Sequence, residues 1–145
     1  MKNHLVTFIA ILMVSAANVA YARNTVENYD IQDVLSQAQH QGKLDGVAFY
    51  FGEQSHPEVI TNHGEFRTNK KTNAFNKSDL VACQWVFMSA MLQLHSRAKS
   101  LGANAVINIQ SNYKDKQTSS ESSFACGAGA TMAGVALIGT VVNIK

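Results

Sequence analysis

This 145-residue chain contains two cysteines, Cys83 and Cys126, and their thiols are its clearest candidates for a chemical role. In an oxidising compartment, two thiols in one small domain are most simply explained as a disulfide. The bridge would close a loop of about forty residues, which the chain-entropy model values at roughly 4 kcal/mol. A redox pair is disfavoured because such thiols usually have Cys-x-x-Cys spacing. A metal site and free thiols remain as alternatives.

Histidine is the other residue type that could supply chemistry, as a metal ligand or a general base. His56 and His63 flank a segment with strand character and would share a metal ion if that strand folded back, so they are weak metal candidates. His95 falls on the polar side of a long helix, where we expect it to be solvated or hydrogen bonded to the sheet edge. No nucleophile, base and orienting group form a recognisable triad. The sequence therefore predicts no catalytic residue, no cofactor and a protein that is not an enzyme.

The first 22 residues have the three-part layout of a secretory signal peptide. Lys2 precedes an apolar run over residues 5–17, and Ala20-Tyr21-Ala22 places small residues where signal peptidase recognises them. We expect cleavage after Ala22 and a mature protein that is periplasmic or secreted. The apolar run is shorter than the roughly 20 residues of a spanning helix, so no stable membrane span is expected after cleavage. An uncleaved N-terminal anchor is the alternative.

The charge balance excludes one class of partner. Of the twelve lysines and arginines, only Lys2 precedes Arg23, and all ten acidic residues follow it, so the mature chain is nearly neutral. It shows neither a basic stripe nor a nucleic-acid-binding motif. The sequence thus predicts no nucleic-acid partner, and the expected partner is an unknown protein or a small ligand. The one basic cluster is typical of a solvated strand edge and consists of Arg67, Lys70, Lys71 and Lys77.

A long amphipathic helix is the clearest element. Ser78 or Asp79 is expected to cap it, and Gly102 to end it. One apolar stripe recurs every three or four positions, at Leu80, Cys83, Phe87, Met91, Leu94, Ala98 and Leu101. A second apolar row flanks it and consists of Val81, Trp85, Met88 and Leu92. The two rows predict wide burial of the first half of the helix, either under a curled sheet or against another subunit of a homo-oligomer.

The remaining patterns predict strands. Ala105, Ile107 and Ile109 are expected to share the buried face of one strand, and Phe124 and Cys126 the buried face of the next. Residues 58–73 fit one bent strand or two short ones, and residues 114–120 fit a mobile polar loop. Residues 127–142 lack charge, yet their glycines and valines favour a final strand over a membrane helix.

These elements divide the chain into a signal peptide (1–22), an N-terminal arm (23–45) and a single α+β domain (46–145). The arm is expected to start loose and to contain a short helix capped by Asp30. The predicted fold class is α+β, with an antiparallel sheet packed against one long helix plus the short N-terminal helix. The helical periodicity places the sulfur atom of Cys83 on the side that faces the sheet, and the strand periodicity places that of Cys126 on the apolar side of its strand. Both sulfur atoms are therefore expected to point into the same interior.

The junction between the long helix and the next strand carries a family resemblance. Residues 97–106, Arg-Ala-Lys-Ser-Leu-Gly-Ala-Asn-Ala-Val, resemble the signature of the YbjQ-type domain, which is called a heavy-metal-binding domain, and of the RcsF-like periplasmic domain. The resemblance implies a YbjQ/RcsF-like fold in which a disulfide-tied helix leads into a strand. It transfers no metal ligands and no lipid anchor, because this chain has neither a dense Cys/His set nor a lipid-bearing cysteine.

A closer likeness is to small exported bacterial proteins, some of them labelled as an excinuclease ATPase subunit. The shared pattern comprises residues 69–75, Cys83-Gln84-Trp85 and Cys126-Gly127-Ala128-Gly129. The ATPase label fails because such phosphate binding needs Gly-x-x-x-x-Gly-Lys-Ser/Thr, which this chain lacks.

The resulting functional prediction is an exported, non-enzymatic binding or interaction module. Its resemblance to the RcsF-like family implies a role in envelope homeostasis. A periplasmic metal-binding protein is one alternative. A protein associated with the membrane through the glycine-rich residues 127–142 is the other.

Overall fold

Seven strands of one curled sheet and two α-helices lie within residues 23–145, the part of the chain that this computed structural model describes. The predicted signal peptide, residues 1–22, lies outside the described residues. The strands are β1 (Asn24–Asp30), β2 (Ala48–Phe51), β3 (Val59–Asn73), β4 (Ala105–Tyr113), β5 (Lys116–Thr118), β6 (Ser123–Gly129) and β7 (Met132–Ile144). The helices are α1 (Ile31–Leu35) and α2 (Asp79–Ser100), with a 3-10 turn at Ala38–His40.

β7 lies in the interior of the sheet because both of its edges are paired. One edge pairs with antiparallel β3 along the whole strand. The other edge pairs with β6 at Ala133 and Gly134, and with β4 from Leu137 to Val142. β1 extends the sheet beyond β6, while β2 and β5 extend it beyond β4. The predicted final strand is thereby confirmed, although it begins at Met132 and residues 127–129 belong to β6.

The predicted antiparallel sheet is wrong. β2 pairs with β4 in parallel, with Ala48 opposite Ala105 and Phe49 opposite Val106, so the sheet is mixed. The fold is also mainly β, with 48% of residues in strands and 24% in helices. The parallel pair is possible because β3 and α2 separate β2 from β4, which supplies the long crossover that parallel neighbours need. The alternation of buried and exposed residues along a strand is the same in antiparallel and mixed sheets, so it could not distinguish them.

The N-terminal arm is ordered by pairing with the sheet. Its first residues, predicted to be loose, form β1, which lies antiparallel to β6 with Thr25 opposite Ala128. The short helix predicted after it is confirmed as α1. Asp30 caps this helix by accepting a hydrogen bond from the Asp33 N–H at 2.9 Å, and Ile31 is buried against the core.

The main core lies between α2 and one face of the sheet. Ser78 caps α2 by accepting a hydrogen bond from the Val81 N–H at 3.2 Å. Phe87 of α2 stacks on Phe124 of β6 with ring centroids 4.0 Å apart. Leu80, placed on the core stripe by its spacing, lies near the helix end and is 48% exposed. The predicted stripe is confirmed for its central members, namely Cys83, Phe87, Met91, Leu94 and Ala98.

The second apolar row of α2 remains largely uncovered by residues 23–145. Val81 and Trp85 expose 53% and 58% of their surface, and Leu92 exposes 37%. Only Met88 of this row is buried. The sheet does not cover this row, so the curled-sheet alternative is wrong within residues 23–145, whereas burial against another subunit stays a prediction.

A bulge in β4 changes which residues face the core. Asn108 has a φ of 51°, and the register with β7 shifts around it. Val106 and Ile109 therefore join the main core, while Ala105 and Ile107 belong to a smaller cluster. The prediction that Ala105, Ile107 and Ile109 share one face is wrong for Ile109, because the bulge inserts an extra residue and breaks the alternation.

Candidate functional site

Cys83 and Cys126 form a disulfide bond, so the predicted bridge is confirmed. Their Cα atoms lie 5.9 Å apart, and both residues are almost fully buried. The bond joins the beginning of α2 to the middle of β6, the same two elements that the stacked rings of Phe87 and Phe124 connect. This bridge fastens the core and leaves neither sulfur as a thiol.

The structure gives the two weak metal candidates different partners. His56 donates from Nδ1 to the Pro57 carbonyl oxygen at 2.8 Å, and its ring meets Tyr50 edge-on. His63 donates from Nε2 to Asn143 Oδ1 at 2.6 Å. Among the described residues, no three His, Cys, Asp or Glu side chains are grouped so that they could hold a metal ion.

A groove of about 590 Å³ lies between strands β1 and β6 on one side and the β4–β5 hairpin on the other. Its volume is within the roughly 300–1,000 Å³ that is usual for small-molecule sites. Val26, Ala125 and the ring of Tyr113 give this Tyr113 groove its apolar surface. None of its other lining side chains is acidic, since they are Asn28, Lys114, Lys116, Thr118, Ser119, Ser120 and Ser123.

Tyr113 is the fixed wall of this groove. Its ring lies over Gly127 of β6, where a Cβ atom would come within 2.0 Å of the tyrosine Oη. It also borders Gly134 of β7, where a Cβ atom would lie 3.4 Å from Cε2. Glycine within a strand commonly marks such a close approach. Packing therefore sets the position of the ring before any ligand arrives.

A tight turn brings two lysines to the groove. Tyr113 pairs with Lys116 across the β4–β5 hairpin, and Lys114 and Asp115 between them have φ values of 53° and 59°. Two consecutive left-handed residues are the mark of a type I′ turn, in which Asn-Gly is preferred. Lys114 Nζ lies 5.6 Å from the centre of the Tyr113 ring, a cation–π contact. Asp115 does not line the groove, and its carboxylate lies 3.9 Å from the guanidinium of Arg67.

Two serine hydroxyls, one lining the groove and one behind it, accept hydrogen bonds from backbone N–H groups. Ser120 Oγ accepts hydrogen bonds from the N–H groups of Ser122 and Ser123 at 3.3 and 3.0 Å. Ser111 Oγ accepts one from the Ala125 N–H at 2.8 Å. A serine nucleophile would instead need a base within hydrogen-bond reach. These hydroxyls order the loop that follows β5 and tie β4 to β6.

A second groove, of about 380 Å³, shares Tyr113 with the first. Lys71 and Arg23 are its only charged lining residues, and the guanidinium of Arg23 is already bonded to the carboxylate of Asp79. Gly127, Gly129 and Gly134 contribute to the lining, and the ring of Tyr113 covers Gly127. We call this second surface the glycine groove.

A buried histidine lies near the uncovered row of α2. His40 is only 6% exposed, and its Nδ1 has no hydrogen-bond partner among the described residues. Burial, and then the positive charge of Lys43, lower the pKa of His40. His95 differs, because it donates from Nε2 to the carbonyl oxygen of Asp45 at 2.9 Å. That bond reaches the loop before β2 and not the sheet edge that the sequence indicated.

Sequence reasoning missed the Tyr113 groove. It ended a strand at Tyr113 and predicted a polar loop over residues 114–120, whereas β5 and its turn order much of that segment. The available signal was the two-residue spacing between Tyr113 and Lys116, which is typical of a hairpin. The Lys-Asp pair lacks the glycine that usually marks such a turn. No local pattern shows that Gly127 will meet Tyr113.

Comparison of this chain with protein-family models, with curated proteins and with solved structures finds no match. The resemblance to the YbjQ-type and RcsF-like family therefore stays a prediction. Within residues 23–145, neither helix combines the length and apolarity that crossing a bilayer requires.

Proposed function

We propose that this chain is an exported, non-enzymatic binding module and that the Tyr113 groove binds a small anionic ligand. The observation that carries the proposal is the charge of the lining. Among the described residues, Lys114 and Lys116 are the only charged ones in the lining, and none of these residues contributes a carboxylate that would compete with a ligand for them. Ammonium groups form charge-assisted hydrogen bonds with carboxylate, sulfate and phosphate oxygens.

The ligand is expected to carry a flat or apolar part beside its anionic group. The ring of Tyr113 and the side chain of Val26 offer apolar surface within the same groove as the two lysines. Val26 is 53% exposed, so a ligand would remove apolar surface from water as well as pair with the cations. Small-molecule sites typically combine such surfaces with a few placed polar groups.

Preorganisation supports a binding role. The ring of Tyr113 rests over Gly127, and Lys114 is held in a left-handed conformation that is costly for a residue with a side chain. Backbone strain of this kind persists where the surrounding structure enforces it, and it clusters at ligand sites. A site that is ordered in advance loses less entropy when a ligand binds.

Export is the second part of the proposal. The Cys83–Cys126 bond fits an oxidising compartment, as does the predicted cleavage after Ala22. Mass spectrometry of protein recovered from the periplasm or medium is expected to show Arg23 as the first residue and both cysteines oxidised. A recovered chain that still carried residues 1–22 would contradict the cleavage. The link to envelope homeostasis rests on the family resemblance alone.

Calorimetric titration of the exported protein with sulfate, phosphate, acetate and galacturonate tests the binding site. At least one of these anions is expected to bind saturably. Lys116→Gln should weaken that binding by about tenfold, because a charged hydrogen bond contributes roughly 1.5–3 kcal/mol. Lys99→Gln makes the same charge change at the far end of α2 and should bind like the wild type. The proposal fails if no anion binds, or if both variants weaken binding equally.

A panel of hydrolase substrates tests the non-enzymatic part of the proposal. We expect no turnover above the level of the buffer, since neither a histidine nor a carboxylate is found beside the serines among the described lining residues of the groove. Turnover that a single side-chain substitution abolished would show the protein to be an enzyme.

The uncovered row of α2 favours a second candidate function, self-association into a homo-oligomer. Trp85 and Val81 are more than half exposed, and no Lys, Arg, Asp or Glu lies between Asp79 and Arg97 in the helix. The helix surface between Asp79 and Arg97 therefore offers uncharged side chains to a second copy, and Lys43 is a charged residue at its border. Sedimentation is expected to show a concentration-dependent oligomer that Trp85→Gln weakens. A wild-type protein that stays monomeric at all concentrations would exclude this candidate.

A further inference from the structure

Tyr113 belongs to two grooves at once, and each groove has its own cation. Lys116 lies in the Tyr113 groove, and Lys71 lies in the glycine groove. The side-chain stem of Lys71 borders the same glycine as the tyrosine ring. A Cβ atom on Gly134 would lie 3.4 Å from Tyr113 Cε2 and 3.7 Å from Lys71 Cγ. Cation, aromatic ring and cation therefore follow one another across one surface.

The glycine groove continues from Tyr113 along β6 and β7. The tyrosine ring covers Gly127, and beyond the ring most of the lining residues, such as Gly129, Ala130 and Ala133, carry short side chains or none. The guanidinium of Arg23 is bonded to the carboxylate of Asp79. We therefore take Lys71, the other charged lining residue, as the cation that pairs with an acidic ligand. Thr131 adds a hydroxyl group at the turn between β6 and β7.

We propose that the two grooves form one extended site for an acidic polysaccharide chain, with a sugar ring resting on Tyr113 and acidic groups paired with lysines on both sides. This inference rests on the proposed function, because it extends the anion site of the Tyr113 groove. A chain ligand matches two grooves that meet at a shared aromatic side chain. Single-stranded nucleic acid is held by several stacking aromatics along a basic stripe, whereas Tyr113 is the one aromatic residue among the described lining of the two grooves.

The length dependence of binding tests the inference. The exported protein is titrated with galacturonate and with oligogalacturonates of two to six units. Affinity is expected to rise by tenfold or more as the chain becomes long enough to occupy both grooves, and then to level off, because the second contact is intramolecular. Circular dichroism confirms that each variant is folded before it is titrated.

Variants separate the two grooves. Lys71→Gln should weaken binding of the hexamer by about tenfold and leave the monomer unchanged, since only the longer chain reaches Lys71. Lys116→Gln should weaken both ligands, and Lys99→Gln neither. Tyr113→Leu should weaken both, because it removes the aromatic surface that the grooves share.

The outcomes distinguish this inference from the proposed function. If the monomer binds through Lys116 but affinity does not change with chain length, the extended site is overturned and the anion site stands. If neither monomer nor oligomer binds, and the simple anions also fail, both are overturned. If single-stranded oligodeoxythymidylate binds more tightly than the hexamer and depends on the same lysines, the polysaccharide is the wrong ligand class.

Discussion

At the scale of single residues, Gly127 and Tyr113 make the closest approach in the site. A methyl group at position 127 would meet the tyrosine Oη at 2.0 Å, so Gly127→Ala must displace the ring or spread β6 from β4. Overpacking of this kind typically costs about 1–3 kcal/mol. We expect urea denaturation of Gly127→Ala to show a loss of that size, together with weaker anion binding.

Two further variants show whether the ring is the cause. Gly134→Ala places its methyl group 3.4 Å from the ring and should cost much less. Tyr113→Ala combined with Gly127→Ala should recover part of the stability that Gly127→Ala loses, because the clash is gone. Equal losses for the two glycine variants, with no recovery in the double variant, would show that Tyr113 does not set the cost.

His40 predicts a pH dependence of stability. Because burial and Lys43 lower its pKa in the folded state, protonation favours the unfolded chain. Its contribution is complete above the ordinary histidine pKa of about 6.5 and is lost as pH falls from there through the folded-state pKa. The unfolding free energy, measured by urea between pH 8 and pH 5, should therefore fall more in the wild type than in His40→Leu. Parallel profiles would contradict the assignment, since the two proteins differ only at position 40.

At the scale of elements, the β4–β5 hairpin contains a residue whose replacement should raise the stability of the protein and weaken ligand binding. Lys114 and Asp115 both occupy left-handed conformations that suit Asn and Gly better. Lys114→Asn and Asp115→Gly should each raise the unfolding free energy by up to about 1 kcal/mol. Only Lys114→Asn should also weaken anion binding, because only Lys114 lines the groove. A Lys114→Asn variant that binds as tightly as the wild type would remove Lys114 from the site.

Elements with a signal in their own residues were predictable. The cap at Ser78, the core stripe of α2 and the strand over residues 58–73 all follow from local residue types. This strand is the single β3, which shifts register next to Gly64, where φ is 99°. The side of β4 on which Ile109 lies could not be predicted in this way, because the left-handed conformation of Asn108 breaks the alternation of side chains along the strand. β1 was missed as well, since its exposed polar residues are ordered by the partner strand β6.

At the scale of the whole molecule, one covalent bond spans the layers. Cys83 and Cys126 are separated by 43 positions, and their bond joins the helix to the sheet. Replacing both by alanine should lower the unfolding free energy by about 2–5 kcal/mol. Urea denaturation with and without reductant measures this. Reductant should lower the midpoint of the wild type and leave that of the double variant unchanged, and equal midpoints for all samples would show that the bond adds no stability.

The arrangement of the strands was less predictable than their existence. The parallel pairing of β2 with β4 depends on contacts between segments more than fifty positions apart, such as Ala48 and Ala105. The Tyr113 groove has the same origin, because it needs β1, β6 and the hairpin to meet. Residue patterns report the local period and the buried side of an element, whereas its neighbour is chosen by the global packing.

The interior position of β7 also bears on how the chain is made. Among the strands of residues 23–145, the fifteen-residue β3 pairs with β7 alone, and β4 and β6 both border β7 as well. During synthesis, β7 is the last of the described strands to leave the ribosome, so a nascent chain holds β3 without a partner until then. The pairing of β3, β4 and β6 with β7 can therefore be completed only after residues 132–144 have been synthesised, which places the closure of the sheet at the end of synthesis of the described segment.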